Sequence, residues 1–579
     1  MKLLLQIAAI LVVVQFAQAK DRYLVTFKSQ QGHQAMVSYF ATESAATSAQ
    51  MQKSLKNIQA VVLKTKNAAY IESLRQHPEV ASIEAEIFRP LPAPVNGFKI
   101  SRVKSPLEMG RRQMQPLQVA DDPAVLTTPV FKQGDATPWG IMAVKAGDAW
   151  SLSQAGAKSR VLVLDTGIDA EHPAIKANFE QGRNFMEDDN GNTDPANFVD
   201  EEGHGSHCSG TILGVYNEQT GFTGVAPKAK LLMGRVCGTQ GCSNIAVAEG
   251  INWGIEQKVD VISMSLGGPI GSSAEGSAVA NAEKAGVMVV AASGNSAGDP
   301  GYSYDKKDPK CKNSNPFQPT NCGVSFPAAY PTVTAVGAVD SSLKKTSFSQ
   351  WGPELAVTAP GAAVVSSVPR GTGRESVVDV QIDGVVRHVK SAAFSGTELF
   401  SAPVKNTIVA IPGTGKPEDF AKVNVAGKFA LVVRGEIKFA DKVQNAIAAK
   451  AAGVLIYNNT AGLMQGALAD GGALLNMPVV MIEQTEGLAL VDALSKGTVV
   501  NASVATVASD YASFDGTSMA TPHVAGVVAL IRSANKNLTP AQVRQILKST
   551  AVTLSPNDTN QYGAGLVQAD KAVQAAVGQ

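Results

Sequence analysis

The chain has no excess of charge of either sign, because 50 basic side chains are balanced by 49 acidic ones. A surface without a net field gives no electrostatic reason to expect nucleic acid or an anionic membrane as a partner. Only 17% of the 579 residues are charged, whereas 45% are hydrophobic. This balance excludes a disordered chain and leaves enough apolar mass for several domain cores.

Long apolar runs are also missing, apart from one at the amino terminus. Residues 1–19 combine a single lysine, an apolar core and the small-residue end Ala17-Gln18-Ala19. This pattern is typical of a secretory signal peptide that is cleaved after Ala19. Since no later stretch approaches the length of a membrane span, we expect a secreted product, extracellular or periplasmic, without a membrane as partner.

Cysteine is scarce, and the five cysteines leave at least one unpaired. Cys237 with Cys242, and Cys311 with Cys322, are close in sequence and lie in loops rich in glycine and proline. Export permits disulfides, so we predict these two pairs and a free Cys208. Metal binding is the alternative for such cysteines, but neither spacing is that of a zinc knuckle and no histidines cluster nearby.

Two segments precede the main part of the chain. Strand patterns over 22–27, 58–63 and 80–88, with a helix pattern after each of the first two, predict a small α+β unit of ferredoxin-like type over residues 20–92. Residues 93–137 contain five prolines and no sustained periodicity. They are predicted to form an exposed linker that proteases can reach.

Beyond the linker, buried strands alternate with helices. Continuous apolar runs at 161–164, 259–264, 287–292 and 333–339 predict an α/β fold, with a parallel sheet covered by helices on both faces. In such folds the functional side chains lie at the carboxyl ends of the strands. Three polar residues fit this rule, namely Asp165, His204 and Asn295. Each of them alone would more often be a turn, cap or structural residue.

A fourth residue, Ser518, lies in the segment FDGTSMATPHVAG, where a loop turns into an apolar helix. A helix amino terminus offers unpaired N–H groups and the positive end of a dipole, which suits a nucleophile beside a developing oxyanion. An ordinary serine N-cap is the alternative. We expect Pro522 in the first helical turn, where a missing N–H is tolerated.

Together these four residues supply a nucleophile, a base, a carboxylate that orients the base, and an oxyanion donor. The segments DTGID, GHGSHCSGT, SMSLGG, AASGN and GTSMATPHVAG resemble, in order, the signatures of the subtilases, the subtilisin-like serine peptidases. The resemblance implies a serine endopeptidase on a subtilisin-like sheet. Ser518 would be the nucleophile, His204 the general base and then acid, and Asp165 the orienting carboxylate. Asn295 and the Ser518 N–H would form the oxyanion hole.

The same resemblance implies two edges where a peptide substrate pairs as an added strand. These edges are Ser265, Leu266, Gly267 and Gly268, and Ala292, Ser293 and Gly294.

The histidine motif is similar to that of the proteinase K branch, where a free thiol lies beneath the catalytic histidine. Cys208 follows His204 by four residues, the spacing of one helix face. Simple packing of a small buried residue is the alternative. His207, His523 and Asp169 also lie in the motifs, but we expect structural roles for them.

Residues 20–92 resemble the family's inhibitory propeptide, so the chain's own propeptide is an expected partner beside peptide or protein substrates. We expect a monomer. The linker would be cut near Pro138-Trp139 or, by another protease, at Arg111-Arg112. No cofactor is expected for catalysis. The acidic loop Glu187 to Asp200 lacks EF-hand spacing, so it is either a structural calcium site or a solvated loop.

The catalytic pattern covers residues 138–371 and 509–579 and is interrupted by residues 372–508. Within this insert, GKFALVVRG, KVQNAIAAKAAGVLIYNN and MPVVMI resemble a protease-associated domain, which is mainly β. Such a domain gates or extends the substrate cleft, with a passive insertion as the alternative.

Two other classes of protein compete with the peptidase. A serine esterase would use the same triad, but the G-x-S-x-G elbow is missing. A binding protein built on an inactive peptidase would lack a triad member, and none is missing.

Overall fold

The computed structural model describes residues 21–47, 49–90, 133–134, 136–188, 192–311, 322–394, 396–459, 463, 468 and 475–579. The predicted signal peptide and nearly all of the predicted linker lie outside these residues. None of the helices in the described part of the chain combines the length and apolar character that a membrane crossing needs.

The amino-terminal unit is a four-stranded antiparallel sheet with two helices. Its sheet order β2-β3-β1-β4 is that of a ferredoxin-like β-α-β-β-α-β unit. The predicted strand over 80–88 is divided into two, and β2 is a strand that the sequence reading missed. The elements are β1 Arg22–Phe27, α1 Gln30–Thr47, β2 Gln50–Leu55, β3 Ala60–Lys64, α2 Ala68–Arg75, β4 Val80–Ala85 and β5 Phe88–Arg89.

The main domain follows. Its elements up to the insert are α3 Trp139–Ala143, α4 Ala146–Ser153, β6 Arg160–Asp165, β7 Phe179–Asn184, α5 His204–Leu213, β8 Lys230–Arg235, β9 Cys237–Gly238, β10 Gly241–Ser243, α6 Asn244–Glu256, β11 Val261–Met264, α7 Ser273–Lys284, β12 Met288–Ala292, β13 Val333–Val339, β14 Leu355–Pro360 and β15 Val364–Ser367.

The insert contains β16 Gly373–Ile382, β17 Val385–Val389, β18 Ser391–Ala393, β19 Phe400–Ala410, α8 Pro417–Phe420, β20 Phe429–Val433, α9 Phe439–Ala448, β21 Gly453–Tyr457, β22 Val479–Ile482, α10 Gln484–Ser495 and β23 Val500–Ser509. The main domain then resumes with β24 Tyr511–Phe514, α11 Thr517–Ala534, α12 Pro540–Thr550, α13 Thr559–Tyr562 and α14 Ala569–Val577.

A seven-stranded sheet, in the order β14-β13-β12-β11-β6-β8-β7, forms the centre of the main domain, and each neighbouring pair is parallel. Side chains of β6 alternate between two cores. Val161 and Val163 pack on the face covered by α4, α5, α11 and α14. Leu162 and Leu164 pack on the face covered by α6 and α7. The parallel sheet with helices on both faces is therefore confirmed.

The insert is built on an eight-stranded mixed sheet in the order β17-β16-β23-β19-β20-β21-β22-β18, which confirms its mainly-β character. The chain enters it after β15 and leaves it before β24, and these two strands pair with each other in the main domain. The long antiparallel pair β16 and β23 continues from this point, from Gly373 opposite Ser509 to Ile382 opposite Val500.

The amino-terminal unit packs on α6 and α7 of the main domain. Leu24, Leu55 and Ile58 of the unit share one buried apolar cluster with Ile245 and Ala278 of those helices. The contact is therefore continuous with the core on that side of the central sheet.

Candidate active site

Two of the predicted catalytic residues are in direct contact. Asp165 ends β6 and His204 begins α5, and the Nδ1 of His204 lies 2.7 Å from Oδ1 of Asp165. The two side chains are 0% and 2% exposed. The same carboxylate oxygen accepts a bond of 2.8 Å from the backbone N–H of Thr166. The carboxylate thus fixes the orientation of the ring.

Glycine at position 205 permits the contact between His204 and Asp165, because the first turn of α5 packs closely against the segment that follows β6. A Cβ on Gly205 would lie 2.2 Å from the carbonyl oxygen of Gly167. The backbone N–H of Gly205 donates to Thr166 Oγ1 at 2.8 Å. Thr166 Oγ1 in turn donates to Asp200, whose carboxylate also accepts the backbone N–H groups of Gly203 and Ser206 at the start of α5. Asp200 therefore caps the helix that carries His204.

The charge of His204 is set by two opposing effects. Burial by itself would lower the pKa of the imidazole, but the adjacent Asp165 carboxylate, with a contribution from Cys208, outweighs it and raises the pKa of His204 well above the usual 6.5. The pair therefore stabilises an imidazolium, which is the state that a base reaches after it has taken a proton.

Ser518 lies in the first turn of α11, next to Ser265. Its Oγ donates to the carbonyl of Ser265 at 3.1 Å, and the Ser265 hydroxyl donates to the carbonyl of Ser518 at 2.8 Å. The expectation that Pro522 lies in the first turn is wrong, because α11 already begins at Thr517. Pro522 has no N–H to donate to the carbonyl four residues earlier, and the Ser265 hydroxyl takes that place.

Nε2 of His204 and Nδ2 of Asn295 are buried and have no hydrogen-bond partner among the described residues, as is also true of Oδ2 of Asp165. The Oδ1 of Asn295 accepts the backbone N–H and the hydroxyl of Thr517 at 2.9 and 2.8 Å. This arrangement fixes the amide and leaves its donor group available. Buried polar groups are normally satisfied, so Nε2 of His204 is available to accept a proton and Nδ2 of Asn295 is available to donate to an oxygen of a ligand.

Cys208 lies beneath this arrangement. Its Sγ is 3.9 Å from Nδ1 of His204 and 3.5 Å from the carbonyl oxygen of Ser518. The side chain is fully buried, and burial raises the pKa of its thiol. The residue is therefore a neutral thiol in contact with both the histidine and the serine.

The other histidines of the motifs have packing contacts. His207 lies 2.9 Å from the carbonyl of Val364 and stacks on Phe514, and burial lowers its pKa to about 3. His523 bonds the carbonyl of Met519 at 2.8 Å, and burial lowers its pKa to about 4. Both rings are therefore neutral and internal.

The predicted substrate edges differ in their surroundings. Ser293 is fully buried and bonds Val336, Ser325 and Gln350, while Ala292 is the buried last residue of β12. The N–H of Gly294 bonds Thr517. In the other edge, Leu266 is buried, and Gly268 pairs with Phe326 in both directions. Gly267 lies between them, two residues after Ser265, which contacts Ser518.

Strand β10 of the catalytic domain is a further strand with which an extended peptide can pair. The sequence did not predict it, and the amino-terminal unit occupies it. Strand β5 pairs with it antiparallel, with Arg89 opposite Cys242 and Phe88 opposite Ser243. A Cβ on Gly241 would lie 2.2 Å from the carbonyl oxygen of Arg89, so only glycine allows this approach. Its signal in the sequence was the loop bounded by Cys237 and Cys242, in which a glycine adjoins each cysteine.

Carboxylates of the amino-terminal unit strengthen the docking. Glu84 accepts the N–H of Ala274 at 3.1 Å and the hydroxyl of Ser272, at the amino terminus of α7. Glu86 accepts the hydroxyl of Ser243 at 2.6 Å, where α6 begins. Negative groups at helix amino termini are favourable.

The structure contains both predicted disulfides, Cys237 with Cys242 and Cys311 with Cys322, and leaves Cys208 free. The first disulfide joins the antiparallel pair β9 and β10. It therefore braces the edge that binds β5.

In the described part of the acidic loop, the carboxylates have protein partners. Asp200 caps α5, and Glu187 lies 3.2 Å from the guanidinium of Arg22. Asp188 accepts the backbone N–H of Asn192, and Asp194 accepts that of Ala196. The structural calcium stays a prediction.

Comparison with known proteins places this geometry in a family. The Subtilase family profile matches residues 156–397 and 476–565, and the PA domain profile matches residues 402–490. The chain belongs to the subtilase family. It is a serine endopeptidase of this family, with a protease-associated domain inserted in its catalytic part.

Relatives and a solved structure agree. The chain is 34% identical over 321 residues to the major intracellular serine protease of Bacillus subtilis (strain 168), covering 53% of this chain and 91% of that protein. It is 37% identical over 238 residues to subtilisin E of the same organism, covering 41% of this chain and 55% of that protein. The crystal structure of the psychrophilic subtilisin-like protease Apa1 from the Antarctic psychrotroph Pseudoalteromonas sp. AS-11 matches with a TM-score of 0.57 and 28% identity, covering 76% of this chain and 99% of that one.

Proposed function

We propose that the chain is a secreted endopeptidase, made as a self-inhibited precursor, in which Asp165, His204 and Ser518 form the catalytic triad. The observation that carries this proposal is that Nε2 of His204 and Nδ2 of Asn295 are buried without a partner. Cys208 contacts both His204 and Ser518, and Asn295 bonds Thr517, the residue before Ser518. A base and an oxyanion donor are the two functions that a serine nucleophile needs.

The reaction begins when Ser518 Oγ turns from the carbonyl of Ser265 towards Nε2 of His204. The histidine takes the hydroxyl proton as Oγ attacks the peptide carbonyl, and Asp165 stabilises the imidazolium. Asn295 Nδ2 and the Ser518 N–H donate to the oxyanion. His204 then gives the proton to the leaving amine, and water hydrolyses the acyl-enzyme by the same steps in reverse order.

The role of residues 20–92 as an inhibitory propeptide is supported by how the unit docks. Strand β5 occupies an edge strand of the catalytic domain, and an apolar cluster extends across the contact. An occupied edge excludes a substrate strand from the same place. Cutting in the linker would leave the unit bound by these contacts alone.

Secretion is supported by the two disulfides, which persist in oxidising compartments, and by the signal-peptide pattern. Fractionation of cells that express the full gene tests it. Processed enzyme in the medium or periplasm is the expected result, and full-length chain in the cytoplasm would contradict the proposal. Size-exclusion chromatography of the same material should give a monomer.

A role of the insert in substrate access is supported by its point of attachment. Its last strand, β23, is followed by β24, and only Asp515 and Gly516 separate β24 from α11, where Ser518 lies. Replacing residues 373–509 with a short turn between β15 and β24 tests this role. We expect hydrolysis of casein to change relative to that of a short peptide, and an unchanged ratio would indicate a passive insert.

The activity itself is tested by casein hydrolysis with and without phenylmethylsulfonyl fluoride, followed by peptide mapping. Inhibition should coincide with one sulfonyl group on Ser518. A label on another serine, or activity that persists with Ser518 fully labelled, would contradict the assignment.

A further inference from the structure

The side chain of Arg89 fills a pocket of the catalytic domain, which we name the Arg89 pocket and define by Gly268, Ile270, Glu275 and Tyr330. Arg89 is only 5% exposed, although it belongs to a two-residue strand of a separate unit. Its aliphatic part crosses Gly268, where an added Cβ would lie 3.1 Å from Cδ of Arg89. A larger residue at 268 would obstruct the pocket.

The end of the pocket recognises a guanidinium. Nη1 of Arg89 donates to Oε1 of Glu275 at 2.8 Å, and Nη2 donates to the carbonyl of Ile270 at 3.1 Å. The Tyr330 hydroxyl lies 3.4 Å from the other oxygen of Glu275. Burial opposes the charge of Arg89, but Glu275 outweighs it and raises the pKa of Arg89 above its usual value. Two acceptors at fork spacing favour arginine over lysine.

The carboxylate belongs to the enzyme and stays when the amino-terminal unit leaves. Glu275 lies on α7 and is fully buried in the docked state. Glu84, the acidic side chain of the unit near this pocket, leaves together with Arg89. A buried carboxylate without its cation is unfavourable, so the vacated pocket keeps a preference for a positively charged side chain.

The pocket also lies in the path of a substrate. Gly268 follows Ser265 by three residues, and Ser265 bonds Ser518, so the pocket lies on the order of 10 Å from the nucleophile. That distance corresponds to about three residues of an extended chain. In the precursor, Arg89 lies on the amino-terminal side of both predicted cuts, 22 residues before Arg111 and 49 before Pro138, so the three-residue spacing concerns substrates and not the maturation cut.

We propose that the Arg89 pocket is a specificity subsite, in which Glu275 selects substrates with an arginine about three residues to the amino-terminal side of the cleaved bond. This inference rests on the proposed peptidase function and adds a substrate class to it. Arg89 of the precursor then occupies the subsite as a substrate arginine would.

The test is made on processed enzyme obtained from the full-length precursor. Mass spectrometry of a digested peptide library first locates the position, two to five residues before the cut, at which arginine is enriched. Two fluorogenic peptides that differ only there, arginine against norleucine, then give the ratio of kcat/KM. We expect a ratio of about 10- to 150-fold, as for a hydrogen bond to a charged group.

Glu275→Gln should reduce this ratio to below about 3-fold, because the charge that selects arginine is removed while the shape of the pocket is kept. Glu283→Gln is the matched control, since Glu283 lies on the same helix and pairs with Arg544. It should keep the wild-type ratio.

The results distinguish a failure of the subsite from a failure of the proposed peptidase function. Equal cleavage of both peptides by wild type refutes the subsite, as does a ratio that survives Glu275→Gln. Cleavage of neither peptide refutes the proposed function and the subsite with it. If Glu275→Gln does not fold, the wild-type ratio alone decides.

Discussion

Removing the guanidinium of Arg22 should weaken the binding of the amino-terminal unit to the enzyme. Arg22 is 2% exposed and contacts three buried carboxylates, Glu86 at 2.8 Å, Glu187 at 3.2 Å and Glu249 at 3.3 Å. Glu86 belongs to the unit, whereas Glu187 and Glu249 belong to the catalytic domain. The arginine therefore joins the two parts through a buried charge network.

The size of the effect follows from this burial. Arg22→Met keeps most of the side-chain volume and removes a cation that all three carboxylates share, while Lys53 still bonds Glu249. Breaking a buried pair by removing one partner costs about 3–5 kcal/mol. If this whole cost weakens the binding of the unit to the catalytic domain, the inhibition constant of the cleaved unit rises roughly 150- to 5,000-fold.

The assay compares wild type, Arg22→Met and Arg75→Met, each expressed as the full precursor. Arg75 lies on α2 of the same unit, is largely exposed and pairs with Glu72, so its replacement should cost about 1 kcal/mol or less. Casein hydrolysis after serial dilution gives the inhibition constant. An Arg22→Met constant within about 3-fold of wild type would refute the reasoning, provided that circular dichroism shows a folded precursor.

The remaining predictions concern the catalytic residues. Asn295→Ala should lower kcat by about 10²- to 10³-fold with little change in KM, the effect measured for the equivalent donor in subtilisin, and equal changes in both constants would contradict an oxyanion role. Because the pKa of His204 is raised and the base must be neutral, kcat/KM should rise with pH through a midpoint above 6.5. A midpoint below that value would show that Asp165 does not raise the pKa of His204 above its usual value. Methylmercury should inhibit the wild type through Cys208 and leave Cys208→Ala active, whereas equal inhibition of both would place the reactive group elsewhere.

The sequence predicted the central sheet well because its strands are buried on both faces. Runs such as Val161 to Leu164 are then apolar throughout, and only a few folds use such runs. Strand β2, with the sequence QMQKSL, was missed because most of its side chains are partly exposed. Its pairing with β3 is a tertiary effect that local composition does not reveal.

The site was predicted only in part. The spacing of motifs indicated Asp165 and His204, but the helix start at Thr517, and hence the position of Pro522, depends on how α11 packs. The contact between Arg89 and Glu275 joins residues 186 positions apart. Neither residue has a local pattern, so only the folded chain brings them together.

The measurement that tests the account most directly is the intact mass of wild type and Ser518→Ala, both expressed from the full precursor, together with casein hydrolysis. We predict that the wild type loses its amino-terminal unit and digests casein, while Ser518→Ala stays full length and inert. Equal shortening of both would assign maturation to another protease. A Ser518→Ala protein that still digests casein would contradict the catalytic assignment itself.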